Sequence, residues 1–229
     1  MSRPDPPNTM RQALVVLRKD LRAEMRSRAA ISSILLFAVT SLVVVGFAAG
    51  SVKVDTGLKA ALLWVVLFFS AFAGLAHVFL HEEETGSVIA LRITASPEAI
   101  FVGKLLFNEA LLGAIALITT PLLAMLLGFE VANVPAFIGT VVAGCLGLGA
   151  SATAVAAIIA RARSRGALFG ALGFPLLMPL LFMAVSATRA AMLGDAPPGL
   201  LLREVGGLAS FAVLVSVAST MVFPLIWDE

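Results

Sequence analysis

Long apolar runs separated by short polar connections dominate this chain. Apolar residues continue without strand-like alternation over Ala29 to Ala49, Leu58 to Leu80, Leu105 to Leu127, Val134 to Ala160, Ala167 to Ala187 and Glu204 to Ile226. Each run reaches the length of about 20 residues that a helix needs to cross the hydrocarbon core of a bilayer. In lipid every backbone N–H and C=O has to be satisfied within the chain, so runs of this kind predict helices and exclude a β-barrel. The pattern upstream differs. From Met10 to Arg28, the apolar residues Met10, Ala13, Leu14, Leu17, Leu21 and Met25 recur at three- and four-residue steps, and Arg11, Arg18, Lys19, Arg22 and Arg26 occupy the other face. That spacing predicts an amphipathic helix over residues 10–28, lying on the cytoplasmic leaflet. Two roles are open to it, a basic anchor that orients the first span or a contact with a partner subunit. Residues 1–9 carry three prolines and no periodicity, and a disordered tail is expected there. The expected architecture is an all-α polytopic membrane protein, with an N-terminal interfacial helix and a six-helix transmembrane domain over residues 29–229.

Composition agrees with the pattern, because 60% hydrophobic and 13% charged residues in 229 lie far from the balance of a soluble domain. Charge adds an orientation. Arg3, Arg11, Arg18, Lys19, Arg22, Arg26 and Arg28 precede the first span, Arg92 and Lys104 lie after the second, and Arg161, Arg163 and Arg165 follow the fourth. The other side receives only Lys53, Lys59, Arg189 and Arg203. The excess of cations on cytoplasmic loops therefore predicts that both termini and the connection 81–104 are cytoplasmic. Basic residues gathered at membrane borders account for the net charge of +2 without a nucleic-acid partner. No cleavable leader is expected, since the first apolar run follows a long basic segment and has full spanning length. Cys145, the only cysteine, lies inside the fourth run and reads as a small packing residue.

The connection HEEETGSVIALRITASPEAIFVGK, His81 to Lys104, is the longest polar stretch between apolar runs. Charges this dense are costly in hydrocarbon, so the segment faces water or another protein and is the first candidate for docking. Its neighbourhood lacks the motifs of an enzyme. HExxH requires His where Thr85 stands, and a phosphate-binding GxxxxGK[ST] requires Gly and Ser or Thr where Glu98 and Leu105 stand. No catalytic set and no metal site emerge, and His77 and His81, one turn apart near the membrane border, read as interfacial residues. If ATP drives this protein, it binds a separate subunit. Asn108 and Glu109 lie inside the third span and are candidates for an intramembrane polar function, or for a simple pairing of Glu109 with a nearby cation.

Small residues mark close packing. Gly139, Ala143, Gly147 and Ser151 recur every four residues and make a flat strip on the fourth span, suited to packing within the chain or to a dimer contact. Gly149, Thr153 and Ala157 form a second strip. In the fifth span Gly173, Pro175 and Pro179 interrupt the hydrogen-bond ladder, which predicts a kinked or broken helix.

Six spans, an amphipathic N-terminal helix and an acidic second connection together resemble a membrane subunit of an ABC-2 type exporter, with a type V exporter-like architecture. The resemblance is carried by Phe79, Glu82, Glu83, Gly86, Ser87, Ser96, Pro97, Gly103 and Lys104, in that order along the chain. Within that superfamily LRKDLRAEMRSR before the first span, GKLLFNE, and GFPLLMP from Gly173 to Pro179 resemble the haem exporter protein B family (CcmB) of cytochrome c maturation. The resemblance implies a multi-pass permease of the bacterial inner membrane that is not itself an enzyme. It also implies a cytoplasmic ATPase subunit carrying the ATP, a haem-handling membrane partner, a homodimer within a larger complex, and haem as a possible cargo rather than a cofactor of this chain. The coupling interface it implies comprises Glu82, Glu83, Glu84, Thr85, Gly86, Ser87, Arg92, Ser96, Pro97, Gly103 and Lys104. Separate from it, Leu14, Leu17, Arg18, Leu21, Arg22 and Met25 are the residues expected to define the amphipathic helix. Two other readings stand beside it, an ABC-2 permease for a glycan, lipid or drug-like cargo and a membrane scaffold that transports nothing.

Overall fold

The computed structural model describes residues 9–27, 29–50, 54–84, 95–160, 173–194 and 197–227, and these form seven helices without a strand. In chain order they are α1 (Thr9–Ser27), α2 (Ala29–Ala49), α3 (Thr56–Glu84), α4 (Pro97–Leu127), α5 (Val134–Ala160), α6 (Phe174–Leu193) and α7 (Pro198–Trp227). Five of them, α2 and α4 to α7, are long and apolar enough to cross a membrane. The expected span Leu58 to Leu80 falls within α3, whose side chains are described as far as Phe72. The exterior is apolar, with Phe47, Leu117, Met125, Phe182, Leu202 and Met221 all largely exposed, as a surface solvated by lipid tails requires. The protein is an all-helical polytopic membrane protein.

Helix α5 is the axis of the bundle. About two thirds (67%) of its span is buried, against 17% for α2 and 22% for α7. Its small residues make this possible, each facing a bulky group of a different neighbour. Gly147 faces Leu180 of α6, where an added Cβ would come within 2.7 Å of the leucine Cδ1, and Gly139 lies beneath Val205 of α7. The Gly139, Ala143, Gly147 and Ser151 strip is thus covered by the chain's own helices. Gly144 takes the indole of Trp64 from α3, whose Nε1–H donates to Thr188 Oγ1 of α6 across 2.9 Å in the buried core.

One end of the bundle is tied by helix caps. Asp55 opens α3, its Oδ2 accepting from Gly57 N–H at 2.9 Å and Leu58 N–H at 3.3 Å. Asn133 opens α5 by accepting from Ala136 N–H at 3.1 Å. The N–H groups of Ala132 and Asn133 donate to the carbonyls of Met192 and Ala191 at the close of α6. The ends of α4 and α6 are Gly128 and Gly194, both left-handed (φ 61 and 68), a conformation that costs glycine little.

Two sequence expectations shift. The fifth run, Ala167 to Ala187, predicts a span that ends at Ala187, whereas the described helix continues through Arg189 to Leu193; the start of that run lies outside the described residues. A single arginine near the border does not end a helix; the stop signal is Gly194. Pro175 falls in the first turn of α6 as described, with Gly173 in the right-handed region just before it, and Pro179 interrupts the ladder one turn farther in. The connection 81–104 is also shorter than its sequence limits, because α3 continues to Glu84 and α4 begins at Pro97.

Candidate functional site

The start of α4 is written in its sequence. Ser96 is extended (φ −69, ψ 151) and its Oγ accepts from Ala99 N–H at 3.3 Å, Pro97 occupies the first turn, and Glu98 sits where the helix dipole favours an anion. Helix α1 lies across these first turns and makes three contacts with them. Ser96 N–H donates to Gln12 Oε1 at 2.9 Å. At Gly103 a Cβ would stand 2.7 Å from Val16 Cβ and 2.8 Å from the Ala13 carbonyl oxygen, so only glycine admits the α1 backbone there. One residue on, Lys104 is completely buried, its Nζ 3.8 Å from Asp20 Oδ2, while Lys19 Nζ lies 3.1 Å from Asp20 Oδ1. The result is a clasp in which a hydrogen bond, a notch and an ion pair fix one helix on another.

Apolar packing surrounds the clasp. Val16, Ile100, Phe101, Ala157 and Phe223 form one cluster, with the rings of Phe101 and Phe223 5.1 Å apart. Ile34, Phe107, Leu111 and Ile115 form another, joined by Leu17 and Ile31. At the α1–α2 corner Ile31 N–H donates to Glu24 Oε1 at 2.8 Å. The first turns of α4 are therefore held by α1, α5 and α7, and the turns that follow by α1 and α2.

The expected coupling residues divide accordingly. Ser96, Gly103 and Lys104 converge on α1, Pro97 opens α4 beside them, and Lys104 has no surface left for a partner in this arrangement. Glu82, Glu83 and Glu84 are the last residues of α3, with side chains outside those described, and Thr85, Gly86, Ser87 and Arg92 lie outside the described residues. Asp20 and Gln12, not singled out from the sequence, prove to be central; the available signal was an acid on the side of Ala13 and Val16, one of two among five cations on α1.

The amphipathic stripe read as one face is two. Ala13, Val16 and Asp20 are buried on the bundle, and Leu17 is half-buried, whereas Met10, Leu14, Leu21 and Met25 are exposed. Arg18 and Arg22 are exposed beside them.

A second polar seam runs between α4 and α5. Asn108 Nδ2–H donates to Thr153 Oγ1 at 2.8 Å, and that hydroxyl donates to Gly149 O at 2.7 Å. Glu109 packs its carboxyl on Gly149, where a Cβ would lie 2.6 Å from Oε1, so it faces a glycine surface rather than a described cation. Among the described residues no group of three His, Cys, Asp or Glu stands together to hold a metal. His77 and His81 have side chains outside those described.

The sequence model of the family described as CcmB protein matches residues 11–222, which takes in α1, the clasp and nearly all of α7. The chain belongs to the CcmB protein family. The heme exporter protein B of Bradyrhizobium diazoefficiens is similar to it, 26% identical over 181 residues that cover 78% of this chain and 82% of the relative. Ser96, Gly103, Lys104, Gln12 and Asp20 all fall inside the matched range, so the clasp belongs to the part of the chain shared with the family.

Proposed function

We propose that this CcmB-family chain is the membrane subunit of a haem exporter, driven by a separate ATP-hydrolysing subunit that bears on the segment between α3 and α4. The family match and the name of the similar protein support the cargo class. The observation that carries the mechanical part is the clasp. The segment 85–95 leads in the chain to Ser96 and the first turns of α4, which are pinned to α1 through Gln12 and Asp20 and packed on α5 and α7, with α2 packed on the turns that follow. A push on the segment is thereby delivered to several helices as a body instead of being absorbed by a loose loop.

In this reading Glu82, Glu83, Glu84 and Arg92, together with Thr85, Gly86 and Ser87, choose and orient the ATPase as rim charges do. Ser96, Pro97, Gly103 and Lys104 act from inside, as the root that holds the docking segment in place. The distribution of Lys and Arg supports a cytoplasmic setting for both termini and for the segment, in an inner membrane crossed six times. The homodimer, which would set two such segments under a dimeric ATPase, belongs to the same proposal, as does a haem-handling membrane partner. Asn108 and Glu109 act in the α4–α5 seam, stiffening the path by which α4 passes motion to α5.

Reversal of the acidic charges tests the docking. With Glu82→Lys and Glu83→Lys together, recovery of the ATPase with the purified permease should fall at least tenfold, and ATP turnover of the complex should lose its dependence on the permease. Undiminished recovery with unchanged turnover would remove the segment from the interface.

A further inference from the structure

The two acids of α1 are both turned inward. Asp20 is buried beside Lys104 and Lys19, and Glu24 accepts from Ile31 N–H at the corner with α2. The outward surface of the helix consequently carries charge of one sign, from Arg11, Arg18, Arg22 and Arg26, all exposed. Beside that arc runs an apolar stripe, with Met10 56%, Leu14 45%, Leu21 44% and Met25 67% exposed. At 100° per residue Leu21, Leu14 and Met25 fall within one narrow sector and Arg18, Arg11 and Arg22 in the next. An apolar strip bordered by arginines matches the boundary of an anionic leaflet, where acyl chains accept the strip and phosphates accept the guanidinium groups.

We propose that the outward face of α1 is a binding site for anionic phospholipid, and that its occupancy regulates the docking segment by holding the clasp closed. The inference rests on the cytoplasmic placement of α1 under the proposed function. Sequence supplies a basic amphipathic helix expected on the cytoplasmic leaflet; the structure adds that Asp20 and Glu24 are withdrawn from the outward side and that the buried side grips the first turns of α4. A neutral bilayer satisfies the apolar strip and leaves the arginines in water. An anionic one engages both, and because α1 is rigid the gain is felt at Gln12, Gly103 and Lys104. A protein partner on this face would be indifferent to headgroup charge, which separates the two occupants experimentally.

The test uses the full-length permease alone, so that it does not depend on ATPase docking. In lipid nanodiscs of phosphatidylcholine, with or without about one third phosphatidylglycerol, an environment-sensitive fluorophore is placed at Leu14→Cys in a Cys145→Ala background. The anionic lipid should move the probe deeper, as read by quenching from brominated acyl chains, and amide exchange over residues 97–104 should slow about fivefold. Raised salt, or Arg11→Gln with Arg18→Gln and Arg22→Gln, should abolish both responses while leaving the melting temperature in neutral lipid unchanged. Equal quenching in the two lipids, or a triple variant that still responds to phosphatidylglycerol, would overturn the proposal. Slowed exchange without deeper burial of the probe would overturn it as well, since the lipid would then act elsewhere. Failure here with intact ATPase recovery leaves the docking reading standing; loss of recovery with an intact lipid response has the opposite meaning.

Discussion

Lys104 and Lys59 each join two helices, at opposite ends of the bundle, and the protein treats them differently. Lys59 donates to the carbonyl of Gly128 at 2.7 Å in an exposed bond, among backbone caps that would order that end without it. Lys104 is wholly buried, and its partner Asp20 retains only 10% side-chain exposure. Withdrawing two charges from water gains little net stability compared with an apolar pair, but it makes mispairing costly. One end is thus closed by many small local bonds that tolerate the loss of any member, the other by a clasp whose buried ion pair fixes which turn of α1 meets which turn of α4. A surface that must be held in register against applied force is better served by the second kind.

The sharpest way to break the contrast is to remove one partner of the buried pair. Lys104→Met should destabilise the permease by about 3 kcal/mol, the usual scale when a buried carboxylate loses its partner. Lys19 remains near Asp20, at 3.1 Å, and limits the damage. Thermal unfolding in detergent measures it, and the double variant with Asp20→Asn should recover most of the loss. If single and double variants unfold alike, the two side chains are not coupled and the clasp rests on its apolar contacts. Next in size is Gly103→Ala. The new methyl would meet a backbone carbonyl as well as Val16, so about 1–3 kcal/mol of overpacking is expected, with faster amide exchange along α1. Gly113 of the same helix has open space around it, and Gly113→Ala serves as the control, neutral or slightly stabilising on the propensity scale. Equal effects at the two glycines would mean that α1 does not occupy the notch.

Legibility in the sequence followed the same division. The close of α2 at Ala49 and the opening of α5 at Val134 could be read directly, because hydrophobic runs and their turn residues coincide there. The start of α4 was missed by eight residues, since Ser96, Pro97 and Glu98 were read as part of a docking loop when they are a helix start. The span criterion was the cause: it trims a helix at its first charge, although Lys104 is buried by α1 and not by lipid. Gly103 and Lys104 were recognised as important, yet their partner was invisible, because the match between Asp20 and Lys104 crosses 84 positions and leaves no local periodicity. The strip from Gly139 to Ser151 admits a dimer or an internal contact on spacing alone, and its neighbours within the chain, Leu180 at Gly147 and Val205 near Gly139, come only from the structure.

Lys59 provides the smallest and most discriminating comparison. Its ammonium satisfies a carbonyl at a helix end that is already closed, the N–H of Gly128 donating to Ala124 O and that of Phe129 to the same oxygen at 2.9 Å. Lys59→Met removes one surface bond and leaves the Gly128 carbonyl open to water, so the expected loss is about 0.5–1 kcal/mol. ATPase recovery should not change. A loss as large as that of Lys104→Met would show that the cap-tied end depends on a charge too, and the distinction between a redundant end and a dedicated one would disappear. A small loss, beside a large one at Lys104 measured in the same detergent, ties the cost to burial rather than to lysine itself, since both residues join the ends of neighbouring helices and differ chiefly in whether water can take their place.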